Sequence, residues 1–342
     1  MSKESLRQKS AITRAGIIRV LSCHFLITIL LVATSTPAIS QNKFHRVGVL
    51  ILHASDRPHL KGLRDGLKEA GYIEGRDLFL EMPIKKTPDE LRVIANTFAN
   101  DKRDVIVALG NVETRIAYET TREIPIVFMP TSDPVRSGFV KSLARPGTNV
   151  TGLTYYVDLR ESGKQLEIFK EIVPTLHRMV LFVDARTESP IDATSLTAVR
   201  KVATHLRIEL TEKPVKSIVQ AEEVVSSASK DTTDGILITC SSLFANLEKI
   251  GAISRKKLVP LYGCSGTQVT EDGALFSYSP DLYQMGRRAA WYVDRILKGA
   301  RPHELPVEAP RKFQLVINLK VAEAIGIKIP PEVLQRADKV IR

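Results

Sequence analysis

Hydroxyl and acidic side chains follow the fourth predicted strand, in the order Thr131, Ser132, Asp133 and Pro134. Ser132 and Asp133 are common helix caps and proline suits the first helical position, so the pattern predicts a helix over about 134–143. The first N–H groups of that helix, with the hydroxyls of Thr131 and Ser132, would hold a carboxylate. An ordinary capped helix without a ligand explains the same residues.

Similar side chains follow other predicted strands. An open parallel sheet binds ligands at the carboxyl ends of its strands, so the residues just after each strand are the most informative ones. The predicted ligand-binding residues share this position: His53, Asn111, Thr131, Ser132, Asp133, Asp184, Ser241 and Tyr262. Asp184 is the natural partner of a ligand ammonium group, which favours an amino acid or a similar zwitterion.

Catalytic motifs are absent from the sequence. Residues 263–266 read G-C-S-G, but a nucleophile elbow needs G-x-S-x-G on a turn from strand to helix, and no helix is predicted directly after Ser265. The dinucleotide-binding, P-loop and H-E-x-x-H motifs do not occur. We therefore predict a binding protein without catalytic residues, metal or cofactor. A secreted α/β hydrolase is the weaker alternative.

Short apolar runs alternate with amphipathic helical stretches along most of the chain. The runs predict strands over 46–52, 78–82, 105–109, 125–129 and 150–155, then over 179–183, 207–212, 235–239, 259–262 and 274–278. Helical patterns between them include 58–70, 243–255 and 282–297. Because the strands are apolar on both faces and joined by helices, we predict an α/β fold of two doubly wound parallel-sheet lobes with a ligand cleft between them.

The first forty residues have the order of a secretory signal. Basic residues come first, 20–33 is mostly apolar, and small residues end at Ser40, which predicts cleavage near that residue and a periplasmic location. The apolar run is shorter than a bilayer-spanning helix. Because residues 1–40 carry five basic residues and one acidic residue, cleavage lowers the formal net charge from +11 to +7. This modest charge, together with export, argues against nucleic-acid binding.

Two cysteines remain after cleavage, Cys240 and Cys264. They follow consecutive predicted strands joined by one helix, and such strands commonly lie side by side. Neighbouring strands are about 4.8 Å apart, which is compatible with the Cα separation of roughly 4.4–6.8 Å in a disulfide. We therefore predict a disulfide between them, with two free thiols as the alternative.

Several segments together resemble a known family. They include GLRDGLKEAGYIEG at 62–75, SLARPG at 142–147 and LVINLK at 315–320, and the resemblance extends over 58–75, 104–108, 124–128, 133–135, 142–147, 149–153, 305–308 and 312–320. The chain is similar over nearly all of its mature length to ABC-transporter substrate-binding proteins of the tryptophan/tyrosine type. The family implies a type I periplasmic-binding-protein fold, in which two lobes joined by three crossovers close on a small ligand.

The resemblance also implies a domain division and partners. Lobe 1 is expected to contain 44–154 and 279–303, and lobe 2 to contain 155–278 and 304–335, with helix 282–297 returning to lobe 1. The partners expected are a small ligand, possibly an aromatic or other amino acid, and ABC permease subunits at the inner membrane, with the binding protein itself a monomer. A ligand-binding subunit of a sensory system is the alternative function. Where the family often has Gly-Thr and Asn-Pro, this chain has Gly110-Asn111 and Asp184-Ala185, so the ligand can differ.

Overall fold

The structure, a computed structural model, describes residues 44–52, 58–155, 163–186 and 190–342 of the 342-residue chain. The predicted signal segment and His53 lie outside these residues. The described chain contains two sheets, each covered by helices.

The first sheet is built from short strands, most of which are buried on both faces. They are β1 (His45–Leu52), β2 (Leu78–Glu81), β3 (Ile84–Lys85), β4 (Val105–Ala108), β5 (Ile126–Thr131) and β6 (Val150–Thr154). The order is β2-β1-β4-β5-β6, β3 pairs with the end of β1, and every pair is parallel. Strands without a polar face need cover on both sides.

Helices α1 (Pro58–Glu69), α2 (Pro88–Asn100) and α3 (Asn111–Thr120) connect these strands. A capping box of Thr87 and Glu90 starts α2. Residues of α1 share one core cluster with the first sheet, whereas residues of α2 and α3 share another. The helices therefore cover opposite faces of the sheet.

The second sheet is mixed. Its strands are β7 (Arg178–Asp184), β8 (Glu209–Val215), β9 (Gly235–Ile238), β10 (Phe276–Pro280), β11 (Phe313–Asn318) and β12 (Lys339–Ile341). The orders β8-β7-β9 and β10-β11-β12 are joined by parallel bridges through Leu261 and Tyr262. The pairing of β10 with β11 is antiparallel, and the other strand pairs are parallel.

The remaining helices follow in chain order. They are α4 (Lys164–Ile172), α5 (Pro190–His205), α6 (Ile218–Ser227), α7 (Glu248–Lys256), α8 (Gly266–Thr270), α9 (Leu282–Leu297), α10 (Leu319–Ile325) and α11 (Pro331–Arg336), with short 3₁₀ turns at Ser242–Phe244 and Pro302–Glu304. Apart from α9, they accompany the second sheet, and one large core cluster joins most of them to it.

The chain passes between the two sheets three times: after β6, after β10, and between Glu308 and β11. Between the last two passages, α9 lies against α1 and shares a core cluster with the first sheet. The third passage begins only after Glu308, because Glu308 still pairs with β6. The Glu308 N–H donates to Gly152 O at 3.1 Å, and the Thr154 N–H donates to Glu308 O at 2.9 Å.

An ion pair fixes this third passage to α9. The Arg288 guanidinium donates to both carboxylate oxygens of Glu308, at 2.6 and 3.0 Å, and also lies 3.8 Å from the ring centroid of Trp291. Burial acts to raise the pKa of Glu308, but the charge and hydrogen bonds of Arg288 outweigh it and hold that pKa below its ordinary value. Glu308 therefore holds the third passage to α9 in its ionised form.

Glycines allow α1 and α9 to pack closely. A Cβ at Gly286 would overlap the carbonyl oxygen of His59, and a Cβ at Gly62 would overlap that of Tyr283. Because each contact is with backbone, no side-chain rotation relieves it, and a larger residue must push the helices apart.

Three predicted elements differ from the structure. The helix predicted over 134–143 is a single turn, because the chain reverses at Gly138 with φ +74° so that Phe139 is buried. The helix predicted over 243–255 is interrupted before Glu248, where the Leu247 N–H donates to the Asp272 carboxylate at 2.8 Å. The segment 259–262 forms isolated bridges rather than a regular strand.

The predicted α/β fold with parallel sheets is confirmed, and one pair of strands, β10 and β11, is antiparallel. Pro280 leaves the second sheet at the edge where Phe313 enters it, and the two residues are paired. A chain that returns to the edge it has just left must run in the opposite direction, so β11 is antiparallel to β10.

Candidate functional site

The carboxyl ends of the parallel strands in both sheets lie beside the passages between them. The chain leaves the first sheet at the carboxyl end of β6 and the second sheet at the carboxyl end of β10. Because β6 is parallel to its sheet, and β10 is bridged in parallel to β9 through 261–262, each sheet presents the same kind of edge to the passages. Ligands bind at such edges in open α/β sheets, and we take the two edges as the candidate site.

Asn111 and Ser132 form the polar part of the first edge. The Asn111 side chain accepts a hydrogen bond from the Ser132 N–H at 3.0 Å and donates to the Ser132 hydroxyl at 3.2 Å. Asn111 is the first residue of α3 rather than its cap, since the cap position is Gly110. The two predicted binding residues are therefore brought together, and each fixes the orientation of the other.

Thr131 lies behind this pair. It is completely buried, and its hydroxyl lies 3.2 Å from the hydroxyl of Thr114, which also donates to Gly110 O at 2.6 Å. Its carbonyl accepts a hydrogen bond from the hydroxyl of Thr154 at 2.8 Å. Strand β5 continues through Thr131 and buries its hydroxyl, so the contact of this hydroxyl with a ligand stays a prediction.

Asp133 caps the single turn that follows β5. Its carboxylate accepts a hydrogen bond from the Arg136 N–H at 3.0 Å, and its carbonyl accepts one from the Ser137 N–H at 3.0 Å. Asp133 therefore acts as a cap, as its residue type predicts, although the helix that it was expected to start is only one turn long. Its carboxylate supports the backbone beside Ser132.

Glu113 closes the end of the neighbouring strand. The Leu52 N–H, at the end of β1, donates to the buried Glu113 carboxylate at 3.1 Å. A Cβ on Gly110, whose φ is +119°, would lie 2.8 Å from the other Glu113 oxygen, so this turn requires glycine. The first turn of α3 therefore joins three strand ends of the first edge.

Asp184 and Arg186 form the charged part of the second edge, just beyond the central strand β7. The Arg186 guanidinium donates from Nε to one oxygen of Asp184 at 2.9 Å and from Nη2 to the other at 2.8 Å, and its N–H donates at 3.0 Å. Burial acts to raise the pKa of Asp184, but these hydrogen bonds and the Arg186 charge keep it below its ordinary value. Asp184 is thus already paired within the protein, and its direct contact with a ligand ammonium group stays a prediction.

Ser241 and the two cysteines lie beside this pair. The Ser241 hydroxyl is buried without a hydrogen bond of ordinary geometry, yet it lies close enough to Asp184 to help lower its pKa. Cys240 and Cys264 form a disulfide, with Cα atoms 5.5 Å apart. The bridge joins the ends of two neighbouring chain segments at the second edge.

Tyr262 belongs to the core instead of the edge. Its ring packs edge-on against Phe276 with centroids 5.3 Å apart, and its hydroxyl donates to the Tyr278 carbonyl at 3.0 Å. Burial raises the pKa of Tyr262 well above its usual value. Its ring and hydroxyl are thus both engaged within the core, and its closure over a ligand stays a prediction.

Ser265 is a helix cap. Its hydroxyl accepts a hydrogen bond from the Gln268 N–H at 3.4 Å at the start of α8, a short helix that the sequence pattern did not predict.

Within the described residues no group of three or more His, Cys, Asp or Glu side chains could hold a metal ion. In the same part of the chain, no helix has both the length and the hydropathy needed to cross a membrane.

Exposed apolar side chains also belong to the elements that form the first edge. Ile84 lies on β3, Val112 on the first turn of α3, Val135 on the turn after β5, and Tyr155 directly after β6. Large apolar side chains left exposed around a polar centre are typical of a ligand-binding surface. The edge can therefore bind a ligand that has both an apolar and a hydrogen-bonding part.

Arg186, Thr114 and Thr154 were not among the predicted site residues. Arg186 stands only two residues after Asp184, so the spacing of opposite charges at a strand end was the available signal. Thr114 and Thr154 carry no such signal, because their hydroxyl partners come from distant parts of the chain.

Comparisons with known proteins agree with this architecture. A family model described as ABC transporter substrate binding protein matches residues 46–341. A tyrosine-binding protein of Clostridioides difficile (strain R20291) is 24% identical over 284 residues, which are 82% of this chain and 80% of that protein.

Two solved structures are similar in fold. A conserved domain protein from Vibrio cholerae has 29% identity and a TM-score of 0.76, over 87% of this chain and 100% of that one. The ABC domain in complex with L-Trp from Streptococcus pneumonia has 22% identity and a TM-score of 0.77, again over 87% and 100%. The extent of the family match shows that this chain belongs to the ABC transporter substrate binding protein family.

Proposed function

We propose that the chain is an exported binding protein that captures an amino acid with an aromatic side chain and delivers it to an ABC permease. One observation carries this proposal. In this member of the family, the carboxyl-end edges of both sheets lie beside the three passages of the chain. One edge offers hydrogen-bonding groups and exposed apolar side chains, and the other offers a charged pair.

The ligand class follows from the chemistry of the edges. A free amino acid brings a carboxylate and an ammonium group that must regain hydrogen bonds on leaving water, and an aromatic side chain that gains from apolar contact. The names of two relatives, a tyrosine-binding protein and a domain bound to L-Trp, support the same class.

Export and lobe closure complete the proposal. The order of basic, apolar and small residues in 1–40 supports cleavage near Ser40 and a periplasmic location. We assign 44–154 and about 279–308 to one lobe and the rest of the described chain to the other, and we propose that a monomer closes on its ligand. N-terminal sequencing of the exported protein should find Gln41 first.

A thermal-shift screen of the protein from residue 41 onward tests the ligand. L-tyrosine, L-tryptophan and L-phenylalanine should raise the melting temperature, because a ligand at 100 times its Kd stabilises the native state by about 2.7 kcal/mol. D-tyrosine, glucose and succinate are the matched controls and should not. A shift with a sugar and none with any amino acid would refute the proposed ligand class.

A further inference from the structure

We propose that Arg186 holds the carboxylate of the ligand and that Asp184 is its positioning residue. This inference rests on the proposed function and deepens it, since it assigns the charged group of the second edge a ligand chemistry. It also reverses the expectation from sequence, in which Asp184 met the ligand directly.

The exposed fractions of the two side chains show which of them lies nearer to the protein surface. The side chain of Asp184 is 2% exposed, whereas that of Arg186 is 40% exposed. The carboxylate therefore lies behind the guanidinium, and a ligand arriving at the edge meets the positive group first.

Asp184 orients Arg186 through two side-chain hydrogen bonds. Because Nε and Nη2 donate to different oxygens of the same carboxylate, the planar guanidinium is fixed in position and rotation. A side chain already held in place loses less conformational entropy when it binds a ligand, so its hydrogen bonds contribute more to affinity.

The position of the pair fits this role. Arg186 follows β7, the central strand in the order β8-β7-β9, at the edge beside the chain passages. The charge of Asp184 cancels much of the long-range field of Arg186, so recognition here depends on directed hydrogen bonds at short range.

Isothermal titration calorimetry with three probes separates the possible roles. The probes are L-tyrosine, 3-(4-hydroxyphenyl)propionate, which lacks the ammonium group, and tyramine, which lacks the carboxylate. Arg186→Gln should weaken tyrosine and the propionate by about 10- to 100-fold, as expected for a hydrogen bond to a charged group, and leave tyramine within about twofold. Arg186→Lys should recover part of the loss.

Two further variants guard against a folding artefact. Arg186→Gln leaves the buried Asp184 charge without its partner, so the double variant Asp184→Asn/Arg186→Gln restores the charge balance and should show the same loss. Arg200→Gln is the matched control. Arg200 donates to both oxygens of Glu212 in the same way, but Glu212 lies in the middle of β8 and not at the end of a strand. This control should leave every affinity unchanged.

The outcomes are distinguishable. If the propionate binds Arg186→Gln as tightly as the original protein, the inference is wrong while the proposed function stands. If Asp184→Asn weakens tyramine tenfold, Asp184 meets the ammonium group directly and the inference is again wrong. If the original protein binds no amino acid, the proposed function fails and the inference fails with it.

Discussion

Thr131 and Ser132 are adjacent in sequence, but the structure predicts opposite consequences for their substitution. The Thr131 hydroxyl is buried and lies 3.2 Å from that of Thr114, whereas Ser132 lies at the edge beside Asn111. Thr131→Val should therefore affect folding, and Ser132→Ala should affect ligand binding.

The magnitudes follow from the contacts. Thr131→Val removes one neutral hydrogen bond, worth about 1 kcal/mol, while Thr114 keeps its bond to Gly110 O and a methyl group replaces the hydroxyl. We expect a small loss of unfolding free energy and a Kd within about twofold of the original. Ser132→Ala removes a hydrogen bond to a charged ligand group, worth about 1.5–3 kcal/mol, which raises Kd by roughly 10- to 150-fold.

The assay is calorimetric titration with L-tyrosine, with urea unfolding of each variant in parallel. Ser217→Ala is a matched control, because Ser217 caps α6 and its loss lowers stability by about 1 kcal/mol at a place with no predicted ligand contact. If Ser132→Ala binds tyrosine unchanged, its hydroxyl only orients Asn111. An equal loss of affinity in Thr131→Val would show that the effect is structural.

Three other predictions concern stability and the disulfide. Gly286→Ala should lower the unfolding free energy by about 1–3 kcal/mol in urea titrations, because the added methyl group meets backbone of α1; an unchanged midpoint would mean that the helices separate without cost. Thiol titration of the unreduced, denatured protein from residue 41 onward should find no reactive group, and two per chain would contradict a Cys240–Cys264 disulfide. Because the folded-state pKa of Glu308 is lowered, its pair with Arg288 stabilises the protein above the unfolded pKa of 4.5 and loses this effect as the pH falls through the folded value. Glu308→Gln should therefore melt below the original protein at pH 7, with a difference that shrinks toward pH 3; a constant difference would exclude the charge as its cause.

The alternation of short apolar runs with helical stretches predicted most of the fold. Helix α9 has the bounds that its apolar stripe predicts, and β1 through β6 differ from their predicted bounds by at most two residues where they were predicted. The antiparallel β11 could not be predicted this way, because strand direction depends on which edge the chain returns to. The short α8, α10 and α11 escaped because fewer than two full turns give no clear period.

The strand ends of the candidate site were predicted close to their observed positions, whereas the direction of several side chains there was not. A strand end was correctly expected near Thr131, yet β5 continues two residues beyond its predicted end, which moves the hydroxyl of Thr131 into the core. Tyr262 likewise packs inward, because its neighbours come from β10. Such orientations depend on pairing between distant segments, which one sequence does not display.

The three passages of the chain between the two sheets also limit the order in which the protein can fold during synthesis. The core of the first sheet needs Tyr292 and Ile296 of α9, and the core of the second needs Val316 and Val333 near the end of the chain. Neither core is complete until most of the polypeptide has emerged from the ribosome. A nascent chain of this topology therefore stays incompletely folded late into translation, a state compatible with the export that we propose.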